Sequence, residues 1–434
     1  MRILFFPNYL GGGFGHIGRC LALSDVFRLQ GWEITFALNG PHRNRVVDDG
    51  HKVFTLSTPK PSLSQRANTP AYVYVSDIGY QVVRDGFYNS SVVNRALNEC
   101  LKIIRAVKPD ILLGDGYLLT WLLGKKTSIP VVQLVKSVVH PQPSKMVWWE
   151  DIPEGLTLPD VRPVFNPVLR AMRLSQMTEA QQLLSGDLFI LPSIPALDPM
   201  EPLPALTHYV GPIIRAKIGQ NYLPDWFSKL KNSKPLIYVS VGGAAGQRGF
   251  EPFFNLIIDT FKDSNWQIIV STGRKIDLSG LKKIPPHIRF VDWIPSREII
   301  SKSSLIIFHG GYTRMEILMH GVPSIVIPFH SEQEYYGRLM EMAGVSKVIH
   351  FSEGPYSRQL CYWQGGNRFI KSKAFTVHFR TNMTLKPEIL KKAVMDCLVD
   401  SAMKSKVLAI KSELACYGGA KKISELIKSE LGIY

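Results

Sequence analysis

The sequence predicts an α/β protein of two domains, each built around a doubly wound parallel sheet. Three observations support this prediction. The chain has 434 residues, too many for one compact core and enough for two domains of about 200 residues each. Continuous apolar runs alternate with helical patterns along both halves, as in parallel sheets that are covered on both faces. A proline-rich segment, 192–212, separates the two series and predicts a linker.

The individual elements follow from the same patterns. In the first half, short apolar runs predict strands at 3–6, 33–38, 52–56, 111–114, 131–135 and 188–191, and helical periodicity predicts helices at 17–30 and 96–107. In the second half, strands are predicted at 236–241, 267–271, 288–291, 305–308 and 324–327. Two segments show neither the periodicity of a helix nor an apolar run typical of a strand. We interpret 145–173 as an excursion at the cleft or surface and 357–386 as an insertion before the helices that end the chain.

These elements predict a first domain over 1–212 and a second over 221–434, with the linker within about 192–220. The helices that end the chain could pack back on the first domain. Two doubly wound domains that face each other leave a cleft, and their ligands bind at the carboxyl ends of the strands. Functional residues are therefore expected where the predicted strands end.

The composition excludes several classes of protein. The formal net charge is +16, but no zinc-finger, RRM or KH pattern accompanies it, so no nucleic-acid partner is predicted. A solvated basic surface, an anionic substrate and peripheral contact with an anionic membrane all remain open. No stretch suits a signal peptide or a spanning helix, which predicts a cytoplasmic protein. The five cysteines show no metal-ligand spacing, so no metal site is predicted.

A glycine-rich turn follows the first predicted strand and leads to His16. Gly13 and Gly15 would let a ligand approach the backbone closely. A neutral imidazole at this position could take a proton from a hydroxyl, or it could simply line the start of the helix. Asp115 follows the strand predicted at 111–114. Its carboxylate could accept the Nδ1 proton of a histidine, or it could cap the next helix.

A second glycine turn follows the strand predicted at 305–308, where His309, Gly310 and Gly311 precede a helical pattern. Free N–H groups and the positive end of a helix dipole make such a turn an anion site, and the histidine could hydrogen-bond a phosphate. Gly242 and Gly243 end another strand of this half and could approach the same anion.

Polar and aromatic residues near this turn suit the rest of a sugar nucleotide. Trp293 could stack on a nucleobase or lie in the core. Glu316 could accept hydrogen bonds from a ribose diol or be a solvated helix residue, and the side chains of Glu332 and Gln333 suit sugar hydroxyls.

Together these residues resemble the GT-B glycosyltransferases of the family-1 type, most specifically over 286–342. The resemblance implies two Rossmann-like domains facing a cleft, a nucleotide-sugar donor and no metal or other cofactor. It assigns the donor site to Trp293 (base), His309, Gly310, Gly311 and Thr313 (diphosphate), Glu316 (ribose), and Glu332 with Gln333 (sugar). It also assigns His16 as general base with Asp115 as its partner.

The chain departs from the family pattern at three places. Ser296 stands where glutamine is usual, Glu332 replaces the commoner aspartate, and the spacing from His309 to Glu316 is one residue short, which shifts the match of Thr313. The N-terminal segment 13–23, in which Gly15-His16 precedes Arg19, is also similar to that of UDP-sugar hydrolases and of the N-acetylglucosaminyltransferase that makes lipid II. In that likeness Arg19 would help shape the acceptor pocket, near which we also place Trp148 and Trp149.

The resemblance implies an inverting glycosyltransferase that moves a sugar from a UDP- or dTDP-sugar to a hydroxyl of a small-molecule, lipid or glycan acceptor. Two alternatives stay open. The chain could be a UDP-sugar hydrolase with water as nucleophile, or a catalytically silent protein that binds a nucleotide sugar.

Overall fold

The computed structural model describes residues 1–11, 13–59, 72–74, 77–142, 148–149, 151–215, 223–242, 250–273, 277–362, 374–380 and 383–433. Within these ranges, seven parallel strands form the first sheet: β1 (Arg2–Pro7), β2 (Glu33–Leu38), β3 (Lys52–Thr55), β5 (Ile111–Asp115), β6 (Val131–Leu134), β7 (Leu188–Leu191) and β8 (Thr207–Tyr209). Their order is β3-β2-β1-β5-β6-β7-β8.

The second sheet contains six parallel strands among the same residues: β9 (Leu236–Ser240), β10 (Gln267–Ser271), β11 (Ile288–Val291), β12 (Leu305–Phe308), β13 (Ser324–Val326) and β14 (Ser346–Val348). Their order is β11-β10-β9-β12-β13-β14. The predicted α/β class, with two Rossmann-like doubly wound domains facing a cleft, is confirmed.

Helices connect the strands and cover the sheets. Those that follow strands of the first sheet are α1 (Gly15–Leu29), α2 (Arg43–Asp48), α3 (Ile78–Arg84), α4 (Ser90–Val107), α5 (Thr120–Thr127) and α6 (Arg162–Ala171). Those of the second half are α7 (Asp225–Ser228), α8 (Glu251–Phe261), α9 (Ser296–Lys302), α10 (Thr313–His320), α11 (Ser331–Met342), α12 (Pro387–Val399), α13 (Ser401–Ala415) and α14 (Gly419–Leu431). Short 3₁₀ turns occur at Ser137–Val139 and Ala180–Leu184.

Each sheet has a point at which the strand order reverses, and these points position the candidate site. In the first sheet, β1 lies beside β5 and Pro7 pairs with Asp115. In the second, β9 lies beside β12 and Ser240 pairs with Phe308. Ligands of doubly wound folds bind outside the carboxyl ends of the strands at such points. The histidines that follow these strand ends, His16 and His309, therefore lie at the two switch points.

A third sheet contains the described strands of the segment 357–386, which we interpreted as an insertion without a helical or strand period. Its strands β15 (Ser357–Tyr362) and β16 (Ala374–Arg380) are antiparallel, and β16 also pairs with β4 (Tyr72–Tyr74) of the first domain. Phe375 and Val377 are buried in the hydrophobic core of the first domain. The insertion thus leaves the second domain and joins the first.

The proline-rich segment predicted as a linker also contains regular structure. It includes β8, the edge strand of the first sheet, which is only three residues long and gives no recognisable period. Arg215, just beyond it, forms ion pairs with Asp25 and Asp49 of the first domain.

The last helix, α14, packs on the first domain. Its buried residues Ile423, Leu426 and Ile427 share the core of the first sheet, at the i, i+3 and i+4 spacing of one helix face. We expect Ile427→Ala to lower the free energy of unfolding of this domain by about 2–5 kcal/mol, because the truncation leaves a cavity in a fully buried site. Urea denaturation would measure the change. Lys421→Ala, on the exposed face of the same helix, should change it by less than about 0.5 kcal/mol, and equal effects of both variants would contradict this packing.

His140 gives the fold a pH dependence. The imidazole is 2% exposed, its Nδ1 accepts a hydrogen bond of 2.9 Å from the Gln142 N–H, and its Nε2 lies 3.2 Å from the Thr207 hydroxyl. Burial lowers the pKa of His140 to about 4. Below about pH 6.5 the imidazole of His140 therefore binds a proton in the unfolded chain, whereas in the folded chain it stays neutral down to about pH 4.

Stability should consequently fall as the pH drops from about 6.5 toward 4, with a contribution from His140 of about 2 kcal/mol at pH 5. Urea denaturation at pH 7, 6 and 5 would measure this loss. His140→Gln, which cannot be protonated, should make the pH dependence shallower by the His140 contribution, while the contribution of His309, whose pKa burial also lowers to about 4, remains. An unchanged slope in this variant would contradict the assignment.

Candidate functional site

A cavity of about 130 Å³ lies between the two domains, where the carboxyl ends of their strands meet. Side chains of both domains line it, including His16, Asp115 and Lys136 of the first domain and Tyr312, Arg314 and Glu332 of the second. The lining contains both cationic and acidic side chains. The cavity is thus suited to a polar ligand that touches both domains at once.

His16 and Asp115 form a hydrogen-bonded pair at the cavity. Helix α1 begins at Gly15, so His16 lies in its first turn, and His16 Nδ1 is 2.7 Å from Asp115 Oδ1. The carboxylate is 1% exposed and the imidazole 34% exposed. Asp115 does not cap the next helix, which begins at Thr120 after Leu119. When Nδ1–H is donated to the carboxylate, Nε2 keeps its lone pair and can accept a proton from a ligand.

Arg19 shares the same carboxylate. Its Nε and Nη2 donate to the two oxygens of Asp115 at 2.9 and 2.6 Å, and Nη2 also lies 2.9 Å from His16 Nδ1. Burial alone would raise the pKa of Asp115, but the Arg19 guanidinium and the hydrogen bonds with His16 and Arg19 outweigh burial and hold this pKa below its usual value. The Arg19 side chain borders the cavity, and its guanidinium is turned onto Asp115.

The glycine turn before α1 leaves open space. A side chain at Gly13 would meet no atom within 4 Å, and one at Gly15 would reach only the Arg19 guanidinium at 4.0 Å. Gly12 lies outside the described residues. The described part of the turn can therefore accept a ligand close to the backbone.

The turn after β12 is shaped around the imidazole of His309. Gly310 has φ of +88°, and a side chain at Gly242 or Gly311 would collide with the ring of His309. The His309 Nδ1 lies 3.5 Å from the Ser240 carbonyl. Burial lowers the pKa of His309 to about 4, although the Ser240 carbonyl and Glu332 act in the opposite direction. Helix α10 begins at Thr313, directly after this turn, so its positive end adjoins His309. Gly243 lies outside the described residues.

Trp293, Ser296 and Glu316 lie together beside this turn. Trp293 is 53% exposed, which excludes the alternative of a core tryptophan, and the Arg45 guanidinium of the first domain is 5.9 Å from its ring centroid. Ser296 Oγ donates to Glu316 Oε1 at 3.1 Å. Burial raises the pKa of Glu316. Ser296, which replaces the glutamine of the family pattern, thus fixes the orientation of the Glu316 carboxyl group.

Glu332 and Gln333 begin helix α11 on the other side of the cavity. Glu332 forms an ion pair with the ammonium of Lys136, which crosses from the first domain. Gln333 Oε1 accepts the Phe329 N–H at 2.8 Å, so its carbonyl supports the loop before the helix.

The two tryptophans assigned to the acceptor side lie elsewhere. Trp148 packs against Tyr356 and Trp149 against Tyr335, with ring centroids 6.1 and 6.2 Å apart. Both partners belong to the second domain, and neither tryptophan is among the described residues that line the cavity. The structure therefore brings His16, Asp115 and Arg19 together, while Trp148 and Trp149 pack against tyrosines that do not line the cavity.

Lys136, Asp198, Tyr312 and Arg314 are among the cavity residues that were missed in the sequence. Lys136 directly follows an apolar strand, as Asp115 does, so the same rule could have found it. Tyr312 stacks on Arg19 at 4.7 Å, and its hydroxyl accepts the Ile213 N–H at 2.9 Å. Asp198 lies in the segment predicted as a linker, and Arg314 reads as an ordinary helix residue.

Two features are absent from the described part of the chain. In it, no group of three or more His, Cys, Asp or Glu side chains is arranged to hold a metal ion. None of the helices within the same ranges combines the length and the apolar character needed to cross a bilayer.

Comparison with known proteins gives this geometry a context. The family described as "Erythromycin biosynthesis protein CIII-like, C-terminal domain" matches residues 255–353. The match contains Trp293, His309, Glu316 and Glu332, but neither His16 nor Asp115.

Two relatives carry glycosyltransferase names. The PGL/p-HBAD biosynthesis glycosyltransferase of Mycobacterium tuberculosis is 23% identical over 284 residues, which are 61% of this chain and 64% of that protein. The chain therefore aligns with slightly less than two thirds of the length of this relative. The NDP-glycosyltransferase YjiC of Bacillus subtilis is 26% identical over 320 residues, 70% of this chain and 79% of the relative.

Two solved structures show the same fold over nearly the whole chain. The calicheamicin glycosyltransferase CalG4 is 17% identical, covers 99% of this chain and 98% of its own, and has a TM-score of 0.67. The spinosyn rhamnosyltransferase SpnG complexed with thymidine diphosphate is 16% identical, covers 98% and 99% of the two chains, and has a TM-score of 0.66. These findings confirm the resemblance of this chain to the family-1-like glycosyltransferases with the GT-B fold.

Proposed function

We propose that this protein is an inverting glycosyltransferase that moves a sugar from a UDP- or dTDP-sugar to a hydroxyl group of an acceptor. One observation carries the proposal. The His16–Asp115 pair lies beyond the end of one sheet and the His309 turn at the end of the other, and the two domains enclose a cavity that His16 and Asp115 line from one side and Arg314 and Glu332 from the other. A base on one side of a bound sugar and an anion site on the other are what an in-line displacement requires.

His16 would act as the general base. Its Nε2 would take the proton of the acceptor hydroxyl as that oxygen attacks the anomeric carbon. The ionised Asp115 carboxylate would stabilise the imidazolium that forms, and it fixes the ring through Nδ1 at 2.7 Å. The sugar would leave the diphosphate as it joins the acceptor, so its configuration would invert.

The second domain would hold the donor and stabilise the leaving diphosphate. Trp293 would stack on the base with its exposed face, and Glu316 would bind the ribose. Gly310 and Gly311 would offer backbone N–H groups beside the positive end of α10, with Thr313 as a further donor. A bound diphosphate would raise the pKa of His309 and make both imidazole nitrogens donors.

The sugar itself would lie between Glu332, Gln333 and Lys136. Glu332 is held by Lys136 across the cleft, so a sugar hydroxyl that binds the carboxylate would also meet the ammonium. These groups account for the leaving charge and for sugar recognition without a metal or other cofactor, which is part of the proposal. Closure of the cleft around both substrates would exclude water and favour transfer over hydrolysis.

The printed names of the relatives support the choice of donor. The Bacillus relative is named an NDP-glycosyltransferase, and the SpnG structure contains thymidine diphosphate. We extend a nucleoside-diphosphate donor to this chain on that basis. A cytoplasmic site of action with peripheral membrane contact, and an acceptor among small molecules, lipids or glycans, belong to the same proposal.

A donor and acceptor screen tests the proposal. Purified protein would be incubated with UDP- and dTDP-sugars and a mixed set of hydroxylated acceptors, and products would be identified by mass spectrometry. The expected result is a glycosylated acceptor that forms faster than free sugar. Rapid, stoichiometric free sugar without acceptor would instead indicate the hydrolase, and nucleotide binding without turnover across the screen would indicate a silent binding protein.

A further inference from the structure

Arg314 is a buried cation in the first turn of α10. The side chain is 2% exposed, and its Nε has no partner among the described residues. Its guanidinium lies over the ring of Tyr336, 3.9 Å from the ring centroid. A cation–π contact contributes only part of what a guanidinium loses when it leaves water, so further stabilisation is needed.

The carboxylates of the cavity do not supply this stabilisation. Asp115 is bound by Arg19 and His16, and Glu332 by Lys136. Asp77 accepts hydrogen bonds from the first N–H groups of α3.

Asp198 is the carboxylate whose charge Arg314 influences, but its oxygens serve other groups. Oδ1 accepts the Ser137 hydroxyl at 2.5 Å and the Tyr336 hydroxyl at 3.2 Å, while Oδ2 accepts the Ser137 N–H at 3.3 Å. In the described part of the chain, no ion pair joins Asp198 to Arg314. The N–H donors of the Arg314 guanidinium are therefore available to a ligand that enters the cavity.

The position of Arg314 limits what that group can be. It follows Thr313, so it lies three residues after the Gly311 turn, and it lines the same cavity as His16 and Asp115. We propose that Arg314 binds the terminal phosphate of the nucleoside diphosphate, as a cation for the leaving group in addition to His309. This inference rests on the proposed donor class and adds a residue that the family pattern does not contain.

Arg314 would act on the leaving group of the displacement and not on the attacking hydroxyl. As the bond between the anomeric carbon and the phosphate oxygen breaks, its electron pair stays on that oxygen, and negative charge grows on the terminal phosphate. A planar guanidinium can donate two parallel hydrogen bonds to such a phosphate. In a buried site this donor arrangement needs little reorganisation during the reaction.

Calorimetric binding of UDP, UMP and pyrophosphate tests the proposal. In the wild type, UDP should bind more tightly than UMP because only UDP carries the terminal phosphate. In Arg314→Met, affinity for UDP should fall about 10- to 100-fold while affinity for UMP changes little. Arg314→Lys should retain part of the UDP affinity, because it keeps the charge but loses the paired donors. Arg289→Met is the matched control, since Arg289 also stacks on an aromatic ring, that of Trp226 at 5.0 Å, but does not line the cavity.

Thermal unfolding without ligand, taken with the affinity ratio, distinguishes a binding role of Arg314 from a purely structural one. A lower melting temperature of Arg314→Met would by itself report only the lost contact with Tyr336 and the lost charge near Asp198, so the ratio of UDP to UMP affinity decides the role. A lower melting temperature with an unchanged ratio of UDP to UMP affinity would overturn the proposal. An unchanged UDP affinity in a well-folded variant would do the same.

The pyrophosphate arm separates this inference from the proposed function. If pyrophosphate stabilises the wild type but not Arg314→Met, and no nucleotide binds, the anion site stands and the donor class is wrong. If neither pyrophosphate nor any nucleotide binds the wild type, both fail. If nucleotides bind and sugar is transferred while Arg314→Met behaves as the wild type, only the inference about Arg314 fails.

Discussion

His16→Ala should lower kcat for sugar transfer by about 10³-fold, within the range that a general base contributes. The variant removes the group that takes the acceptor proton but leaves Asp115 paired with Arg19 at 2.6 Å. The affinity for UDP should stay within about twofold of the wild type, because the donor site lies on the other domain. Steady-state kinetics with calorimetric UDP binding would measure both quantities.

Two companion variants sharpen this expectation. Asp115→Asn should also lower kcat, since the amide cannot stabilise the imidazolium, and the double variant with His16→Ala should lose no more than His16→Ala alone. His287→Ala is a suitable control, because His287 Nε2 bonds the Phe261 carbonyl at 2.9 Å and does not line the cavity. Wild-type kcat in His16→Ala would exclude His16 as the base.

Gly310→Ala should weaken donor binding severely, lowering the affinity for UDP by about 100-fold or more. The backbone at Gly310 has φ of +88°, and a Cβ there would stand 2.5 Å from the Gln333 carbonyl oxygen. The turn would have to move away from α11, which displaces His309 and the N–H groups that would hold the diphosphate. Calorimetry with UDP and dTDP would measure the loss.

Gly50 provides a matched control for the backbone strain. It has φ of +79°, but a side chain added there meets no atom within 4 Å. Gly50→Ala should therefore suffer the same left-handed strain of about 1 kcal/mol without losing UDP affinity. If Gly310→Ala and Gly50→Ala bound UDP equally well, the His309 turn would not be the diphosphate site.

Residues that follow strands were the most predictable part of the site. An apolar run that ends in a polar residue marks the edge where parallel sheets bind ligands. Asp115 and His309 were found in this way, and His16 lies one turn beyond the same edge. The contact of 2.7 Å between His16 and Asp115 follows from the pairing of β1 with β5, which the sequence pattern suggests but does not specify.

Long-range pairings were not predictable. The strand β16 pairs with β4, placing His378 opposite Tyr74 across some three hundred residues of chain. A local period carries no information about such a partner, and strands at a sheet edge need not alternate cleanly. The same limit hid the contacts of Trp148 and Trp149 with the second domain, because these contacts exist only once the domains face each other.

Charged residues in helices were the hardest to interpret. Arg314 lies one residue after Thr313 and looks like a solvated position of a short helix. It is buried, and Tyr336 of α11 covers its guanidinium. Lys136 likewise became a candidate through its ion pair with Glu332, which belongs to the other domain. Both residues became candidates only when burial and partners were known.

The configuration of the transferred sugar tests the central claim most directly. With the best donor from the screen, an α-linked nucleotide sugar such as UDP-glucose or dTDP-glucose, proton NMR of the isolated product would report the new anomeric linkage. A single displacement, assisted by His16 and directed against a diphosphate held at the His309 turn, predicts a β-linked product. An α-linked product would contradict the direct attack on which the roles of His16 and Asp115 depend.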